Sequence, residues 1–598
     1  MLKRVVKKIN EGDMTVTGGA YSRKYSAGFR YSLVGVALAA LQVFGSQAQA
    51  QLVLPGAAQP GRAEQPILST PLIPKSTGTP VIQQDEPETV FPDVDVTFKL
   101  EKVIIEGATV FTPADFAVLY NDVIGTEIPV AKIFEIAQKA TAFYRSKGYI
   151  LSQVVVVPQE IEGGTIRFQA IEGFVDKVVV TGDLGGRQNL VTVYTNQITS
   201  ERPLRAKTVE RYLLLAGDLA GMTVKGVFSP SPDMPGAATL TVQSEHKRIE
   251  AAFEIANDGS DFVGPNLGTG EIIFNSIFNF HERIGIRFAA TGDAEELLLG
   301  ELYGSVPVGK KGTQVFGRIS NSVSEPGNGL QNFAIANDAF RWSLGVSHPF
   351  IRGRRQNLFA GLQFDWDDLK SDSDLFGRLS EDHLRVVRAY ADYDFVDSWL
   401  GASRPAVTAL HGRVSVGFDA LGGTSSSELF RTRGNADGSF AAFEAEIQRF
   451  QRVGIPGVTV LLAARGQITS EAVLASEEFG FGGNDYGRGY DPSAIVGDRG
   501  VAGKIELQYQ RAVSSIPLLE SYQVFSFLDG GLVQNIDIPG GNSRAITELY
   551  SAGGGIRLDF AHGFETEFTL AWRGMTDASV QNLGADRLRG LFRVVKRF

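Results

Sequence analysis

The chain has 598 residues, of which 43% are hydrophobic, and a formal net charge of -10 at pH 7. Because nucleic-acid binding needs a basic face that can contact phosphates, this charge argues against a nucleic-acid partner. The absence of cysteine excludes disulfides and thiolate chemistry, and the six histidines show no spacing typical of paired metal ligands. No hydrolase elbow, zinc-protease helix or phosphate-binding glycine loop occurs, so the sequence predicts no catalytic residue, no metal site and no cofactor.

The N-terminus carries the features of a secretory signal within residues 1–50. Basic residues precede an apolar run at 31–44, and the small-residue sequence Ala48-Gln49-Ala50 follows it. The apolar run is too short to cross a bilayer of about 30 Å as a helix. We therefore predict cleavage after this sequence, with an uncleaved anchor as the alternative and either Met1 or Met14 as the start.

Residues 51–96 form a proline-rich linker. Its eight prolines are spread along the whole stretch and forbid a long helix or a central strand. We interpret the segment as a tether with one short helix near Gly61–Gln65.

Two copies of an α/β module follow, at 97–173 and 174–248. The first copy is predicted as a strand at 100–106, helices starting at Pro113 and after Pro129, and strands at 149–157 and 165–171. The second copy repeats the order of strand, helix, strand and strand. The match of Val103-Ile104-Ile105-Glu106-Gly107 to Val178-Val179-Val180-Thr181-Gly182 supports a repeat.

From residue 249 to 598, glycine-punctuated strands with period-two alternation replace the helical spacing. Val414 and Val416 alternate with Arg413 and Ser415, and the pattern recurs in later strands. Charged residues on one parity fit a wet lumen behind a lipid-facing surface, and no run of about 20 apolar residues after residue 50 offers a membrane helix instead. About 350 residues at about 22 per strand and loop predict about 16 strands. The predicted fold is a transmembrane antiparallel β-barrel preceded by two α/β domains.

The chain ends in a strand-like segment with a terminal aromatic residue. The last residues of a soluble domain usually fray, whereas the last strand of a barrel must close the sheet. We therefore expect Phe592, Val594 and Phe598 to belong to the barrel-closing terminus.

Other polar residues in the barrel region suggest no strong site. Five aspartates between residues 365 and 374 lie near an expected loop. A solvated loop is the simpler interpretation, and a divalent-cation site is the alternative. Glu254, Arg287, Arg318 and Arg413 are interpreted as lumen-facing positions.

Several short motifs run in order through the barrel region. They are Asn257-Asp258-Gly259, Tyr303-Gly304-Ser305-Val306-Pro307-Val308-Gly309, Ser347-His348-Pro349-Phe350, Gly487-Arg488-Gly489-Tyr490, Gly497-Asp498-Arg499-Gly500, and Phe527 with Asp529 and Gly531. Together with the two α/β modules and Phe598, these motifs resemble the two-partner secretion transporters, the TpsB family of ShlB/FhaC/HecB type. That family belongs to the POTRA-plus-barrel superfamily that also contains BamA.

The resemblance implies a specific pair of motifs inside the pore. Gly487, Arg488, Gly489 and Tyr490 resemble the family's VRGY motif, at the tip of a loop folded into the lumen, with glycine in place of valine. Phe527, Asp529 and Gly531 meet the partner pattern F-x-D-x-G on the barrel wall. A carboxylate is costly on the lipid side, so Asp529 should face the lumen, where a guanidinium can pair with it bidentately. The alternative is an exposed turn and an unpaired carboxylate.

The resemblance also implies export of one dedicated large protein, of the haemolysin or adhesin type and β-helical, from periplasm to cell surface. The α/β modules are then periplasmic POTRA domains that capture the unfolded substrate by β-augmentation. The candidate edge residues are Tyr149, Ile150, Val154, Val156, Val224 and Val227. Further implied partners are outer-membrane lipid and the barrel-assembly machinery that inserts this chain. Family members often carry a helix inside the pore, so residues 51–96 are also a possible plug.

Two rival functions stay open at this point. A BamA-type assembly factor would normally carry more POTRA copies than two. A passive porin-like channel would leave about 150 residues of α/β modules unexplained.

Overall fold

The computed structural model describes residues 54–62, 64–68, 74–75, 82–83, 96–186, 189–234, 236–536, 546–575 and 587–598. The predicted signal at 1–50 lies outside the described residues. Ahead of the first α/β domain, the described residues contain a 3-10 turn at Gly56–Ala58, helix α1 (Gln65–Leu68) and the two-residue strand β1 (Ile82–Gln83). No described helix is both long enough and apolar enough to cross a bilayer.

The first α/β domain packs two helices against a three-stranded sheet. Its elements are β2 (Thr97–Lys99), β3 (Lys102–Glu106), α2 (Pro113–Ala117), β4 (Glu127–Pro129), α3 (Val130–Ser146), β5 (Gln153–Val156) and β6 (Thr165–Ile171). The sheet order is β3-β6-β5, and β2 pairs separately with β4. A capping box between Thr112 and Asp115 starts α2, with Pro113 in its first turn. The predicted apolar stripe of α3 forms the core with Phe116, Ile166 and Phe168.

Glu172 follows the last strand of this domain and is hydrogen-bonded to residues around its core. Its carboxylate accepts hydrogen bonds from the backbone N–H groups of Thr109 (2.7 Å) and Val110 (3.1 Å), from the Thr109 hydroxyl, and from the Tyr144 hydroxyl (2.9 Å). Partial burial opposes ionisation, but these hydrogen bonds outweigh it and lower the pKa of Glu172.

We expect Glu172→Gln to destabilise the first α/β domain by about 1–2 kcal/mol at neutral pH, because the neutral amide is a weaker acceptor. Since the folded-state pKa is lowered, the stabilisation is present above the ordinary carboxyl pKa of 4.5 and is lost as the pH falls through the folded value. Limited proteolysis of the whole protein between pH 7 and pH 3 measures this. An equal resistance of the variant and the wild type at every pH contradicts it.

The second α/β domain repeats the architecture and adds a 3-10 segment between its two helices. Its elements are β7 (Phe174–Gly182), α4 (Leu190–Thr195), a 3-10 segment at Asn196–Ser200, α5 (Ala206–Gly217), β8 (Met222–Pro230) and β9 (Ala237–His246). The sheet order is β1-β8-β9-β7, so the outer edge of β8 is covered by β1. The apolar side chains of α5 form the core with Val191 and Ile198, which belong to a helical region that the sequence patterns did not reveal.

The rest of the chain is a closed barrel of sixteen antiparallel strands, as predicted. The strands are β10 (Ile249–Ala256), β11 (Leu267–Asn275), β12 (Arg283–Thr291), β13 (Leu298–Val308), β14 (Thr313–Ser324), β15 (Ile335–Arg352), β16 (Gln356–Ser373), β17 (Gly377–Asp397), β18 (Ala406–Gly417), β19 (Phe440–Arg452), β20 (Val458–Thr469), β23 (Arg499–Ala512), β24 (Leu519–Gln534), β25 (Ile546–Phe560), β26 (Phe564–Met575) and β27 (Leu588–Arg597). Two short strands, β21 (Phe479–Phe481) and β22 (Ile495–Gly497), pair with each other between β20 and β23. We call the end where β10 follows the second α/β domain the near end, and the opposite one the far end.

The alternation of side chains divides the wall into an apolar outside and a polar inside. Val414 and Val416 are 47% and 46% exposed on the outside, whereas Ser415 between them is 3% exposed. Charged side chains of the inner parity pair across neighbouring strands, as Arg413 does with Glu444 (2.6 Å). The predicted parity of the barrel strands is therefore confirmed.

The C-terminal strand closes the cylinder by pairing with the first strand. Val594 is opposite Ile255 in the antiparallel pair of β27 and β10. The backbone N–H of Phe592 donates to the side-chain oxygen of Asn257 (2.6 Å), and that of Phe598 donates to the Ala251 carbonyl (2.9 Å). All three expected terminal residues thus lie at the closing seam.

The aspartates between 365 and 374 do not form the solvated loop that the sequence analysis favoured. Four of them lie on the long strand β16, which continues to Ser373. They pair with basic side chains of neighbouring strands, as Asp365 does with Arg388 (2.5 Å) and Asp368 with Arg385 (2.9 Å). Their charges are thus neutralised within the barrel wall, which gives the alternative of a cation site no support.

Candidate functional site in the barrel lumen

The connection between β20 and β23, residues 470–498, turns back into the barrel, and we call it the inward loop. It contains a 3-10 turn at Ala475–Glu477 and the hairpin of β21 and β22. Its aromatic side chains Phe479, Phe481, Tyr486 and Tyr490 are buried in one cluster with Leu461 and Val533 of the wall. The loop therefore has its own apolar core, which seats it against β20, β23 and β24.

Glycine is required where this loop approaches the wall. Gly487 has φ +95°, a conformation that L side chains rarely adopt, and a Cβ there would lie 2.8 Å from the Phe481 ring. Gly531 on β24 faces the same ring, and a Cβ at that position would overlap it. The glycines of both motifs thus allow the loop to lie directly on the strand.

Arg488 and Asp529 form a fully buried, bidentate ion pair. The Asp529 side chain is 0% exposed and that of Arg488 is 3% exposed. Arg488 Nε donates to Asp529 Oδ2 (3.0 Å) and Nη2 donates to Oδ1 (2.9 Å). Asp529 Oδ2 also accepts the backbone N–H groups of Gly487 (3.3 Å) and Arg488 (3.1 Å). One carboxylate therefore fixes both the backbone and the guanidinium of the loop tip.

Two further wall residues complete the environment of Arg488. Glu506 of β23, which lies outside the predicted loop and wall motifs, pairs with Arg488 Nη1 at 2.5 Å and with Arg557 of β25 at 2.8 Å. The Phe527 ring lies 3.5 Å from the guanidinium carbon, in a cation–π arrangement. Phe527 and Gly531, the first and last residues of the predicted F-x-D-x-G pattern, thus contact the inward loop, as Asp529 also does.

Tyr490 extends the anchor to the closing side of the barrel. Its hydroxyl donates to the Tyr550 carbonyl (2.9 Å) and to the Gly574 carbonyl. Arg573 donates to the Gly489 carbonyl and Arg589 to the Tyr490 carbonyl (2.5 Å). The roles of these two arginines could not be predicted from sequence motifs, because their partners are backbone carbonyls.

The described residues of 54–68, which we call the lumen segment, also lie inside the barrel. Arg62 is 1% exposed and donates to two carbonyls of the inward loop, Ala475 (2.6 Å) and Glu478 (2.9 Å). Asn337 of β15 donates to the Ala58 carbonyl (3.0 Å), and Arg287 of β12 to the Ile67 carbonyl (3.3 Å). The segment is therefore held by both the wall and the inward loop, and among its described residues only α1 is α-helical.

The second α/β domain is fixed to the near end of the barrel. Asp218, directly after α5, pairs bidentately with Arg352 at the end of β15 (2.7 and 2.8 Å). Arg211 donates to the carbonyls of Pro349 (3.0 Å) and Phe350 (3.2 Å), within the motif at 347–350. That motif thus serves as the docking rim for the domain.

The candidate edge residues are placed differently from the prediction. Tyr149 and Ile150 precede β5 and are not on its edge. Tyr149 packs against Phe111 and Tyr144 in the first domain, and Ile150 packs against the core of the second. Gly148 follows the end of α3, and Tyr149 and Ile150 belong to the turn that connects this helix to β5.

The other four edge candidates do lie on strands. Val154 offers no free backbone groups at the edge. Its N–H donates to the Thr141 hydroxyl (2.8 Å), and its carbonyl accepts from the same hydroxyl (3.3 Å). Val156 ends β5 with a half-buried side chain. Val224 packs against the second core, and Val227 is opposite Gln83 of β1. The edge of β8 is thus covered by the chain's own residues.

Two family models match the chain. "POTRA domain, ShlB-type" matches residues 98–173, and "Haemolysin secretion/activation protein ShlB/FhaC/HecB" matches residues 238–558, more than half of the chain.

Characterised relatives and solved structures agree with these matches. The outer membrane transporter CdiB of Escherichia coli O6:K15:H31 is 22% identical over 76% of this chain and 75% of its own length. The heme/hemopexin transporter protein HuxB of Haemophilus influenzae is 20% identical over 76% of this chain and 80% of its own. The structure of CdiB from Escherichia coli has a TM-score of 0.67 at 19% identity, covering 87% of this chain and 94% of that chain.

A closed barrel with an inward loop and two α/β domains at its near end defines a POTRA-plus-barrel protein of the outer membrane. Its near end faces the periplasm, where the POTRA domains lie, and its far end faces the cell surface. The chain belongs to the haemolysin secretion/activation family of ShlB, FhaC and HecB. It is an outer-membrane transporter of two-partner secretion, and its partner is a secreted protein.

Proposed function

We propose that this transporter exports one dedicated, large, β-helical protein of the haemolysin or adhesin type, and that the inward loop and the lumen segment together hold its resting pore closed. The observation that carries the proposal is the Arg488–Asp529 anchor, which fixes the loop tip to the wall while Arg62 ties the lumen segment to the same loop. Export then requires a substrate that displaces the lumen segment and parts the inward loop from one of its attachments. Folding of the substrate outside the cell supplies the driving force.

The POTRA domains are proposed to capture the unfolded substrate by strand addition. The first domain offers the end of β5 at Val156, since the peptide groups of Val154 already bond to Thr141. The second offers β8 only after β1 has left it, because Ile82 and Gln83 pair there in parallel with Gly226 and Val227. We infer that the substrate first meets β5 and then competes for β8.

Deletion of residues 98–171 tests whether the first POTRA domain is needed. We expect secretion to be abolished while the barrel stays inserted, because no described β10–β27 strand pairing involves these residues. The measurement is the exported protein in the medium, with outer-membrane abundance and heat-modifiable mobility as the check on the barrel. Secretion at the normal level would refute the capture role.

A pair of point variants tests strand addition at β5 without removing the domain. The backbone N–H of Val156 points outward from the sheet edge, as that of Val154 does two residues earlier. Val156→Pro removes this N–H together with the side-chain contacts of Val156, whereas Val156→Ala removes those contacts but keeps the N–H. Export should fall with proline much more than with alanine. Equal export from the two variants would exclude this edge.

The two rivals are less well supported. A barrel-assembly factor fits the superfamily, but the matching family is the secretion family. A passive porin leaves unexplained why a loop and a second segment fill the lumen. The gene beside this one provides a simple test, because a dedicated exporter should be encoded next to a very large secreted protein.

A further inference from the structure

Asp498, which lies outside the two motifs, holds three far-end connections together. Its side chain is 0% exposed and accepts the backbone N–H groups of Val473 (2.8 Å) and Ile536 (2.6 Å). Both terminal nitrogens of Arg433 also donate to it (2.5 and 3.0 Å). Val473 belongs to the inward loop, Ile536 follows β24, and Arg433 belongs to residues 418–439, which we call the outer loop.

Contacts around this carboxylate join the same segments. Arg433 also donates to the Val473 carbonyl (2.7 Å) and pairs with Glu478 (3.1 Å). Asp437 and Val473 form a parallel β-bridge between the outer and inward loops. Beside it, Ala436, Val473 and Leu474 pack with Leu384 and Val386 of β17. The junction thus combines a buried charge pair, backbone pairing and an apolar contact.

The inward loop spans the mouth of the barrel from side to side. At Asp498 it is joined to the outer loop, which follows β18, the ninth strand of the cylinder. At Asp491 it accepts the N–H of Asp261 (2.9 Å), in the connection after β10, the first strand. In a ring of sixteen strands the first and the ninth are on opposite sides. A polypeptide leaving the lumen must therefore part this loop from one side.

The two sides differ in which parts of the barrel the inward loop contacts. Near the first strand, the inward loop is anchored through Arg488, Tyr490 and Asp491 to residues on the barrel strands themselves. On the other side Glu477 of the inward loop pairs with Arg388 of β17 (2.7 Å), but the partner of Asp498 is Arg433, on a loop whose Leu429 is 87% exposed. Asp498, by contrast, directly precedes β23 and cannot move far.

We propose that the Asp498–Arg433 pair is the latch of a gate at the cell-surface mouth, where the outer loop separates from the inward loop to release the exported chain. This inference rests on the proposed export function. The Arg488–Asp529 anchor stays in place during that separation. Both latch residues are positioning residues, because they hold the loops and do not themselves contact the substrate.

A reversible cross-link tests the separation directly. Since the chain contains no cysteine, the pair Asp437→Cys and Val473→Cys forms the only possible disulfide, at positions that a β-bridge brings to cross-linking distance. We expect the oxidised double variant to export at least about tenfold less than either single variant, and a membrane-tolerant phosphine reductant to restore export. Normal export by the fully oxidised protein would overturn the proposal.

A second measurement needs no exported protein and so separates failure of the gate from failure of the export function. Val473→Cys is fully buried at rest and should react slowly with an impermeant maleimide added outside the cell. Adding Asp498→Asn, or Arg433→Gln, should accelerate labelling about tenfold or more, because the loops then part more often. The control is Asp397→Asn, which breaks a similar bidentate pair with Arg449 at the periplasmic end. Equal labelling in all these backgrounds, with the barrel folded by heat-modifiable mobility, would overturn the latch.

Discussion

Replacing Arg488 or Asp529 by alanine is expected to reduce export at least about tenfold while leaving the amount of inserted barrel unchanged. Removing Arg488 leaves the buried Asp529 carboxylate without its cation, and removing Asp529 leaves the guanidinium with Glu506 as its remaining carboxylate; breaking such a buried pair costs about 3–5 kcal/mol. That cost falls on the docked loop and not on the strand pairing, because β23 and β24 keep their backbone register without it. The loop tip therefore detaches from an intact barrel and, no longer held to one side, obstructs the lumen through which the substrate must pass. The measurement is exported protein in the medium per unit of heat-modifiable transporter in the outer membrane.

The bidentate geometry of the pair leads to two further expected results. Arg488→Lys should fail nearly as badly as alanine, because an ammonium cannot pair bidentately with Asp529 and also reach Glu506. The double variant lacking both Arg488 and Asp529 should be no worse than either single one, since they act as a unit. Arg413→Ala is the matched control, because it breaks a lumen pair with Glu444 that is more exposed than the Arg488–Asp529 pair and lies away from the motifs. Normal export from both single variants would remove the pair from the mechanism.

The barrel could be predicted from the sequence because each strand sorts its side chains with a period of two. Lipid outside favours apolar side chains and water inside favours polar ones, so the side of the wall on which Val414 and Ser415 lie can be predicted without knowing which residues they pair with. The lumen-facing parity of Asp529 followed from the same logic, whereas its pairing with Arg488 was implied by the resemblance to the family. The strand count followed from the length alone.

Periodicity cannot say which strand residues face each other or what a non-periodic segment contacts. Glu506 looks like any lumen carboxylate until β23 and β24 are brought into register, which places it opposite Phe527. The aspartates of β16 seemed to belong to a loop because strand length cannot be read where acidic residues dominate. Arg62 was hidden because the proline-rich segment has no period, and its partners are carbonyls of a loop some 410 residues away.

Deletion of residues 54–68 is expected to raise the conductance of the transporter in planar bilayers severalfold and to make cells sensitive to bulky antibiotics. Sixteen strands enclose a lumen wide enough for an aqueous channel when nothing fills it. In this chain the lumen segment occupies that space, with Leu54 and Ala58 packed beside Ile335 of β15. Arg62→Gln should give a smaller increase, because it loosens the attachment to the inward loop but leaves the chain in place. An unchanged conductance after the deletion would show that the segment does not close the pore.

Labelling of a single cysteine can follow the lumen segment during export itself. Ala58 is 0% exposed, so Ala58→Cys in this cysteine-free chain should be protected from an impermeant maleimide at rest. When the exported partner is produced, labelling should accelerate at least about tenfold, because the substrate and the segment cannot share the lumen. Leu429→Cys on the exposed outer loop provides the control and should react quickly in both conditions. If Ala58→Cys stays protected during active export, the substrate passes beside a resident segment, and closure depends on the inward loop alone.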